Sequence, residues 1–182
     1  MKKPLLFLFS LSITCFLVIS CTTFKVGQRD PKTGYFKTNS SAPIIESKDK
    51  INLDSLKSLV LVPNNQFLIG MTKNLKFFDE VISFEEMEQK IIAQNLQSEI
   101  PTINSLIGLS NAAKKYKPFL YLTMLSVPRD GQVFAQLKLF NPKTGEYLFV
   151  SEMRLAYPSD QGVFYPLYNA LIDYLQTHSG NK

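Results

Sequence analysis

The chain has 182 residues, of which 45% are hydrophobic and 19% are charged, so its composition is that of a globular protein and not of a disordered one. Its formal net charge of +5 is concentrated before residue 51, because residues 51–182 hold 12 basic and 12 acidic side chains. A nucleic-acid-binding domain normally carries a basic face. The neutral balance of residues 51–182 therefore argues against a nucleic acid as partner.

Residues 1–20 have the organisation of a signal peptide. Met1-Lys2-Lys3 is a short positive region, and residues 4–19 are almost continuously apolar. This run of about 16 residues is shorter than the ~20 that a bilayer-spanning helix needs, and polar residues follow it directly. The sequence therefore predicts a cleaved leader in preference to a transmembrane anchor.

The stretch Val18-Ile19-Ser20-Cys21 resembles the lipobox of bacterial lipoproteins, with an aliphatic residue at −3, a small residue at −1 and the obligatory cysteine. The resemblance implies lipidation of Cys21, with diacylglycerol on its thiol and a further acyl chain, such as palmitate, on its amine. Several acyl chains bind a membrane firmly. Thr22 stands where aspartate retains enteric lipoproteins in the inner membrane, so the resemblance implies an outer-membrane anchor facing the periplasm. A secreted protein with a chance cysteine is the alternative.

Residues 21–50 are polar and lack a sustained apolar period, which predicts a lipidated N-terminus followed by a flexible tether. One segment within them, Asp30-Pro31-Lys32-Thr33-Gly34, has strong turn chemistry. Aromatic and aliphatic residues flank this turn, so a small hairpin within residues 24–37 is an alternative to a flexible chain. A lone hairpin is marginally stable in water and would have to dock on the domain.

Residues 51–182 predict a single domain of the α/β (α+β) class. The element order β-α-β-α-α-β-β-β-α predicts a mixed five-stranded sheet with helices packed on it. Its first two strands are expected to be parallel and its last three to form an antiparallel meander. The predicted strands are 58–63, 80–82, 119–127, 132–140 and 147–156, and the predicted helices are 66–74, 84–97, 104–116 and 164–177.

Three local patterns support these elements. Ser83 and Glu86 have the spacing of a capping box at the start of the second helix. Val133, Ala135, Leu137 and Leu139 alternate on one face of the fourth strand. Leu167, Leu171 and Leu175 form the core stripe of the last helix, where Pro166 is tolerated in the first turn.

The element order, anchor and tether together resemble the amino-terminal domain of TolB and the related domain of lipoprotein activators of penicillin-binding proteins. The resemblance covers residues 51–182 and implies a fold. A shared fold does not establish an activity.

The residues give little support for catalysis, and no catalytic residue, metal site or cofactor is predicted. Cys15 lies in the leader and Cys21 carries the lipid, so no thiol remains as nucleophile or metal ligand. His178, the single histidine, lies near the end of the last helix. An acidic cluster could supply the paired carboxylates of a glycosidase or bind a cation weakly; its members are Asp79, Glu80, Glu85, Glu86 and Glu88. Helix capping and solvation explain the same residues.

Two surfaces are candidates for binding a partner. Lys114, Lys115 and Lys117 form a basic, aromatic patch with Tyr116, for which the alternative is the solvated last turn of a helix. The loop before the last helix carries Tyr157, Phe164 and Tyr165, and aromatic residues are common interface anchors. Packing beneath that helix is the alternative for Phe164 and Tyr165.

The leading hypothesis from the sequence is a membrane-anchored, non-enzymatic binding or assembly module in the periplasm, whose partner is an envelope protein. The alternative is a carboxylate-dependent hydrolase of envelope glycans that uses Glu85, Glu86 or Glu88.

Overall fold

The structure, a computed structural model, describes residues 26–37, 41–49, 51–155 and 164–179. Within these ranges a mixed sheet of six strands carries helices on both faces. No helix in the described ranges is long and apolar enough to cross a bilayer. The elements are β1 (Ile44–Ser47), β2 (Val60–Val62), α1 (Gln66–Asn74), β3 (Val81–Ser83), α2 (Phe84–Ala93), α3 (Leu106–Lys115), β4 (Leu120–Arg129), β5 (Gln132–Asn141), β6 (Glu146–Arg154) and α4 (Tyr165–His178).

The strand order across the sheet is β1-β6-β5-β4-β2-β3. Strand β2 is parallel to both β3 and β4, and the pairs β4–β5, β5–β6 and β1–β6 are antiparallel. The predicted order of elements from β2 to α4 is confirmed. The predicted number of five strands is wrong, because β1 adds a sixth from the stretch predicted as a tether, pairing with β6 at the sheet edge.

Two apolar cores lie on opposite faces of the sheet, because side chains of a strand alternate between its faces. Val60 and Val62 of β2 point into a core that α1 and α4 complete. Leu59 and Leu61 point into a second core that α2 and α3 complete. The leucine stripe predicted for the last helix lies fully in the first of these cores.

The helix starts follow local side-chain chemistry. α1 has its predicted bounds, and the Asn65 side chain caps it by accepting a hydrogen bond from the Leu68 backbone N–H at 3.1 Å. The predicted capping box is confirmed, with Ser83 and Glu86 bonded to each other's backbone N–H. α2 ends at Ala93 and not near residue 97, because Asn95 adopts the left-handed conformation with φ 57°.

The β4–β5 hairpin extends beyond the helices. Asp130 and Gly131 both have positive φ, 52° and 71°, which matches the twist that a two-residue hairpin turn needs. Of the four β5 residues predicted to share a buried face, Ala135, Leu137 and Leu139 are buried as expected. Val133 is 43% exposed, because it lies opposite Pro128 near the hairpin end.

Residues 26–37 form a turn that packs on α1 and α4. A single antiparallel bridge joins Arg29 to Phe36, and the Asp30 and Gly34 backbones close the turn. The Phe36 ring is 1% exposed, lying 5.8 Å from the Tyr165 ring and 5.7 Å from the Tyr168 ring between centroids. The described part of residues 24–37 thus agrees with the docked hairpin offered as the alternative to a flexible tether, and it contributes Phe36 to the first core.

Candidate functional site

Two of the residues singled out from the sequence, Cys21 and Tyr157, lie outside the described residues. The structure therefore leaves lipidation of Cys21 as a prediction, and it adds nothing on the role of Tyr157.

The other two aromatic residues of the predicted interface loop are half-buried in internal contacts. The Phe164 ring lies 5.8 Å from the Phe67 ring between centroids. The Tyr165 ring stacks on Phe36 at 5.8 Å with an interplanar angle of 25°. Both rings are partners of the first core, which supports the alternative that they pack beneath the last helix.

The predicted basic patch lies at the C-terminal end of α3. Lys114 is exposed, and the Lys115 ammonium lies 2.8 Å from the Glu99 carboxylate. This contact raises the pKa of Lys115 through its hydrogen bond to Glu99. Tyr116 is half-buried against the second core. Lys117 is paired as well, with Glu80 at 3.3 Å, so two of the three ammonium groups are already paired and the aromatic ring is partly buried within the domain.

The acidic cluster is divided between α2 and the residues before β3, where Glu80 is paired with Lys90 at 3.0 Å and Lys117 at 3.3 Å. Glu86 belongs to the capping box, and Glu85 and Glu88 are exposed. A half-open cleft of about 400 Å³ lies elsewhere and has Asp30 as the single acidic residue in its lining. Among the described ranges no group of three potential metal ligands is found. In this cleft of described residues, Asp30 has no second carboxylate beside it to form the pair that a glycosidase needs.

A surface that the sequence analysis did not single out lies on the second face of the sheet, over β4, β5 and β6. The second core includes residues of β2, β3 and the start of β4, and within the described chain none of its members comes from β5 or β6. We call this surface the polar sheet face. Its members, placed together by strand register, are Thr123, Leu125, Val127, Arg129, Phe134, Gln136, Lys138, Tyr147, Val150, Glu152 and Arg154.

A charged network lies on the polar sheet face. Arg129 Nη2 donates to Glu152 Oε1 at 2.6 Å, and Gln136 Nε2 donates to Glu152 Oε2 at 2.6 Å. The Gln136 and Arg129 hydrogen bonds together lower the pKa of Glu152. Glu152 is 9% exposed, whereas the Arg129 side chain is 49% exposed. A nearly buried carboxylate therefore positions a guanidinium that still faces solvent.

Aromatic rings hold two cations of this surface in place. The Arg129 guanidinium carbon lies 4.2 Å from the centre of the Phe134 ring, and the Lys138 ammonium lies 5.2 Å from that of Tyr147. Cations over ring faces are attracted by the ring quadrupole. Arg129 thus has two fixed neighbours, the Glu152 carboxylate and the Phe134 ring.

The sequence contains a signal for this surface that follows from strand alternation. In β5 the residues between Ala135, Leu137 and Leu139 are Gln136 and Lys138, which must lie on the opposite face. The pairing of Gln136 with Glu152 in β6 could not be predicted in the same way. It depends on the register of β5 and β6, which a bulge near Leu139 shifts, and the sequence pattern does not reveal that bulge.

Comparisons with known proteins give distant structural likenesses. No protein-family model and no curated protein matches the chain. Among solved structures, the C-terminal domain of LpoB from Salmonella enterica has 14% identity and a TM-score of 0.36, covering 56% of this chain and 84% of that one. The corresponding domain from Escherichia coli has 13% identity and a TM-score of 0.39, covering 60% and 88%.

Lipoprotein GNA1162 from Neisseria meningitidis has 13% identity and a TM-score of 0.33, covering 65% of this chain and 98% of that one. At such TM-scores these likenesses establish neither fold nor function for this chain. The resemblance to the TolB domain gains no support from them and stays a prediction.

Proposed function

We propose that the protein is a lipid-anchored, non-enzymatic module of the bacterial cell envelope that binds an envelope protein through the polar sheet face. The lipobox supports the anchor at Cys21, and Thr22 after it supports an outer-membrane position facing the periplasm. The neutral charge of residues 51–182 disfavours a nucleic-acid partner, and the lack of a remaining thiol disfavours cysteine catalysis.

The observation that carries the binding proposal is the fixed, half-exposed guanidinium of Arg129. Arginine is enriched among residues that dominate interface energies. A side chain already held by Glu152 and Phe134 loses less conformational entropy when a partner binds. Arg154 and Lys138 lie on the same surface, so the partner chemistry it fits is a protein surface that presents carboxylates.

Site-specific photocrosslinking in living cells tests this proposal. A photoreactive amino acid at Leu125, which is 44% exposed on the polar sheet face, should give an adduct of one defined mass. The same group at exposed Gln97, in the loop after α2, is the matched control and should give no such adduct.

A charge reversal separates specific binding from chance proximity. Arg154→Glu should reduce the Leu125 adduct, whereas Lys143→Glu in the exposed β5–β6 turn should leave it unchanged. Equal adducts from both photoreactive positions, or an adduct insensitive to Arg154→Glu, would contradict the proposed surface.

A further inference from the structure

The described chain begins in close contact with two helices. Val26 lies over Gly70 of α1, where an added Cβ would be 2.5 Å from the Val26 Cγ2 atom. Gly27 lies against Tyr165 of α4, and an added Cβ there would be 2.7 Å from the phenol ring. Both contacts are possible only because glycine has no side chain. Gly70 of α1 and Gly27 of the segment itself therefore allow residues 26 and 27 to pack closely on the two helices.

Hydrogen bonds hold the same segment along its length. The Asn74 side chain donates to the Gly27 carbonyl at 2.7 Å, and Arg29 Nη1 donates to the Leu75 carbonyl at 2.5 Å. Further along, the Asn169 amide exchanges two hydrogen bonds with the backbone of Phe36. We call residues 26–37, fixed in this way to α1 and α4, the docked segment.

The docked segment leaves very little chain between the domain and Cys21. Only residues 22–25 intervene, and five Cα-to-Cα steps span at most about 18 Å. A flexible coil over residues 21–50 would instead average roughly 30 Å between its ends and impose no orientation. Because of this docking, the connection between Cys21 and the domain is short and begins at Val26, beside α1.

The surface around Val26, where the docked segment begins, is basic. Lys73 lies one helical turn after Gly70, and Lys76 lines the same cleft as Arg29. Lys32 is exposed in the turn beside Asp30, and a second carboxylate, Asp173 of α4, accepts a hydrogen bond from the Tyr35 hydroxyl. Lysine and arginine close to an anionic lipid surface are attracted to its head groups.

We infer that the docked segment holds the domain directly against an anionic lipid surface, with α1 and residues 26–32 facing the lipid. The inference rests on the proposed lipidation of Cys21. This arrangement also orients the domain on the membrane. Helix α3 lies on the face of the sheet opposite to α1 and therefore points away from the lipid. The polar sheet face, which lies on the α3 side of the sheet, is then free to meet a partner.

Energy transfer to labelled lipids tests this orientation. The full chain, purified from membranes with its own lipid, is reconstituted into vesicles of phosphatidylcholine and phosphatidylglycerol that carry acceptor dyes on their head groups. A donor dye is attached at Lys73→Cys on α1 or, as the matched control, at Lys114→Cys on α3; both positions are exposed. Two structural layers of roughly 10 Å each separate them. Transfer should be higher from position 73.

A linker variant tests whether the short connection is the cause. A flexible Gly-Ser insertion of about 15 residues between Lys25 and Val26 lengthens the tether and leaves the docked contacts in place. The difference in transfer between positions 73 and 114 should then be lost.

The results of these experiments distinguish a failure of the proposed orientation from a failure of the proposed lipidation of Cys21. Equal transfer from both positions in vesicle-bound protein, or a difference that survives the insertion, overturns the inference and leaves the lipid anchor standing. Protein that fails to sediment with vesicles and whose Cys21 thiol reacts with the dye overturns the anchor, and the inference with it.

Discussion

Asn169 provides the sharpest test of the packing that fixes the docked segment. Its side-chain Oδ1 accepts from the Phe36 N–H at 2.8 Å, and its Nδ2 donates to the Phe36 carbonyl at 3.1 Å. Asn169 is 5% exposed. Replacing it with alanine removes both bonds and leaves two backbone groups in an apolar setting. A lost bond costs about 1 kcal/mol, and a stranded buried group costs about 1–3 kcal/mol. We expect Asn169→Ala to lower the free energy of unfolding by about 2–4 kcal/mol.

Urea denaturation followed by far-ultraviolet circular dichroism measures this change. Gln176→Ala is the matched control, because Gln176 is an exposed amide on the same helix and should change stability by less than about 0.5 kcal/mol. If Asn169→Ala costs less than about 1 kcal/mol, the Phe36 backbone is not held as described, and the docked segment loses this attachment to α4.

Three further predictions concern other parts of the fold. Ser83→Ala removes the α2 cap and should cost about 1 kcal/mol in urea denaturation, whereas Ser98→Ala in an exposed loop should be neutral. Phe36→Ala should cost about 3–5 kcal/mol, because the ring is 1% exposed; a near-neutral result would contradict its place in the core. Because the pKa of Glu152 is lowered in the folded state, its carboxylate stabilises the fold above the unfolded pKa of about 4, and this stabilisation is lost on acidification. From about pH 5 to pH 3, the free energy of unfolding should therefore fall less in Glu152→Gln than in the unaltered protein. Parallel pH curves for the two proteins would refute the Glu152 prediction.

Local signals explain which elements the sequence predicts well. The bounds of α1 follow from the Asn65 cap, and the start of α2 follows from the capping box, because both depend on residues a few positions apart. The hairpin between β4 and β5 follows from its Asp-Gly turn. Each of these features is decided by neighbours in sequence, so it can be read without the tertiary structure.

Contacts between distant residues explain the features that the sequence does not predict. Strand β1 has four exposed residues and no alternation, and its partner β6 lies about a hundred residues later. Burial of Phe36 depends on Asn169, which is 133 positions away. The polar sheet face likewise depends on the register between β5 and β6. In each case the deciding partner is supplied by packing and not by the local pattern.

The lipid on Cys21 is the central claim, because both the envelope location and the membrane-facing orientation depend on it. Tandem mass spectrometry of the tryptic N-terminal peptide from protein purified out of cell membranes tests it most directly, since trypsin cuts after Lys25. We expect a peptide of residues 21–25 that carries diacylglycerol on the cysteine thiol and begins at Cys21. A peptide still joined to Ser20, or one with an unmodified Cys21 thiol, would contradict the account.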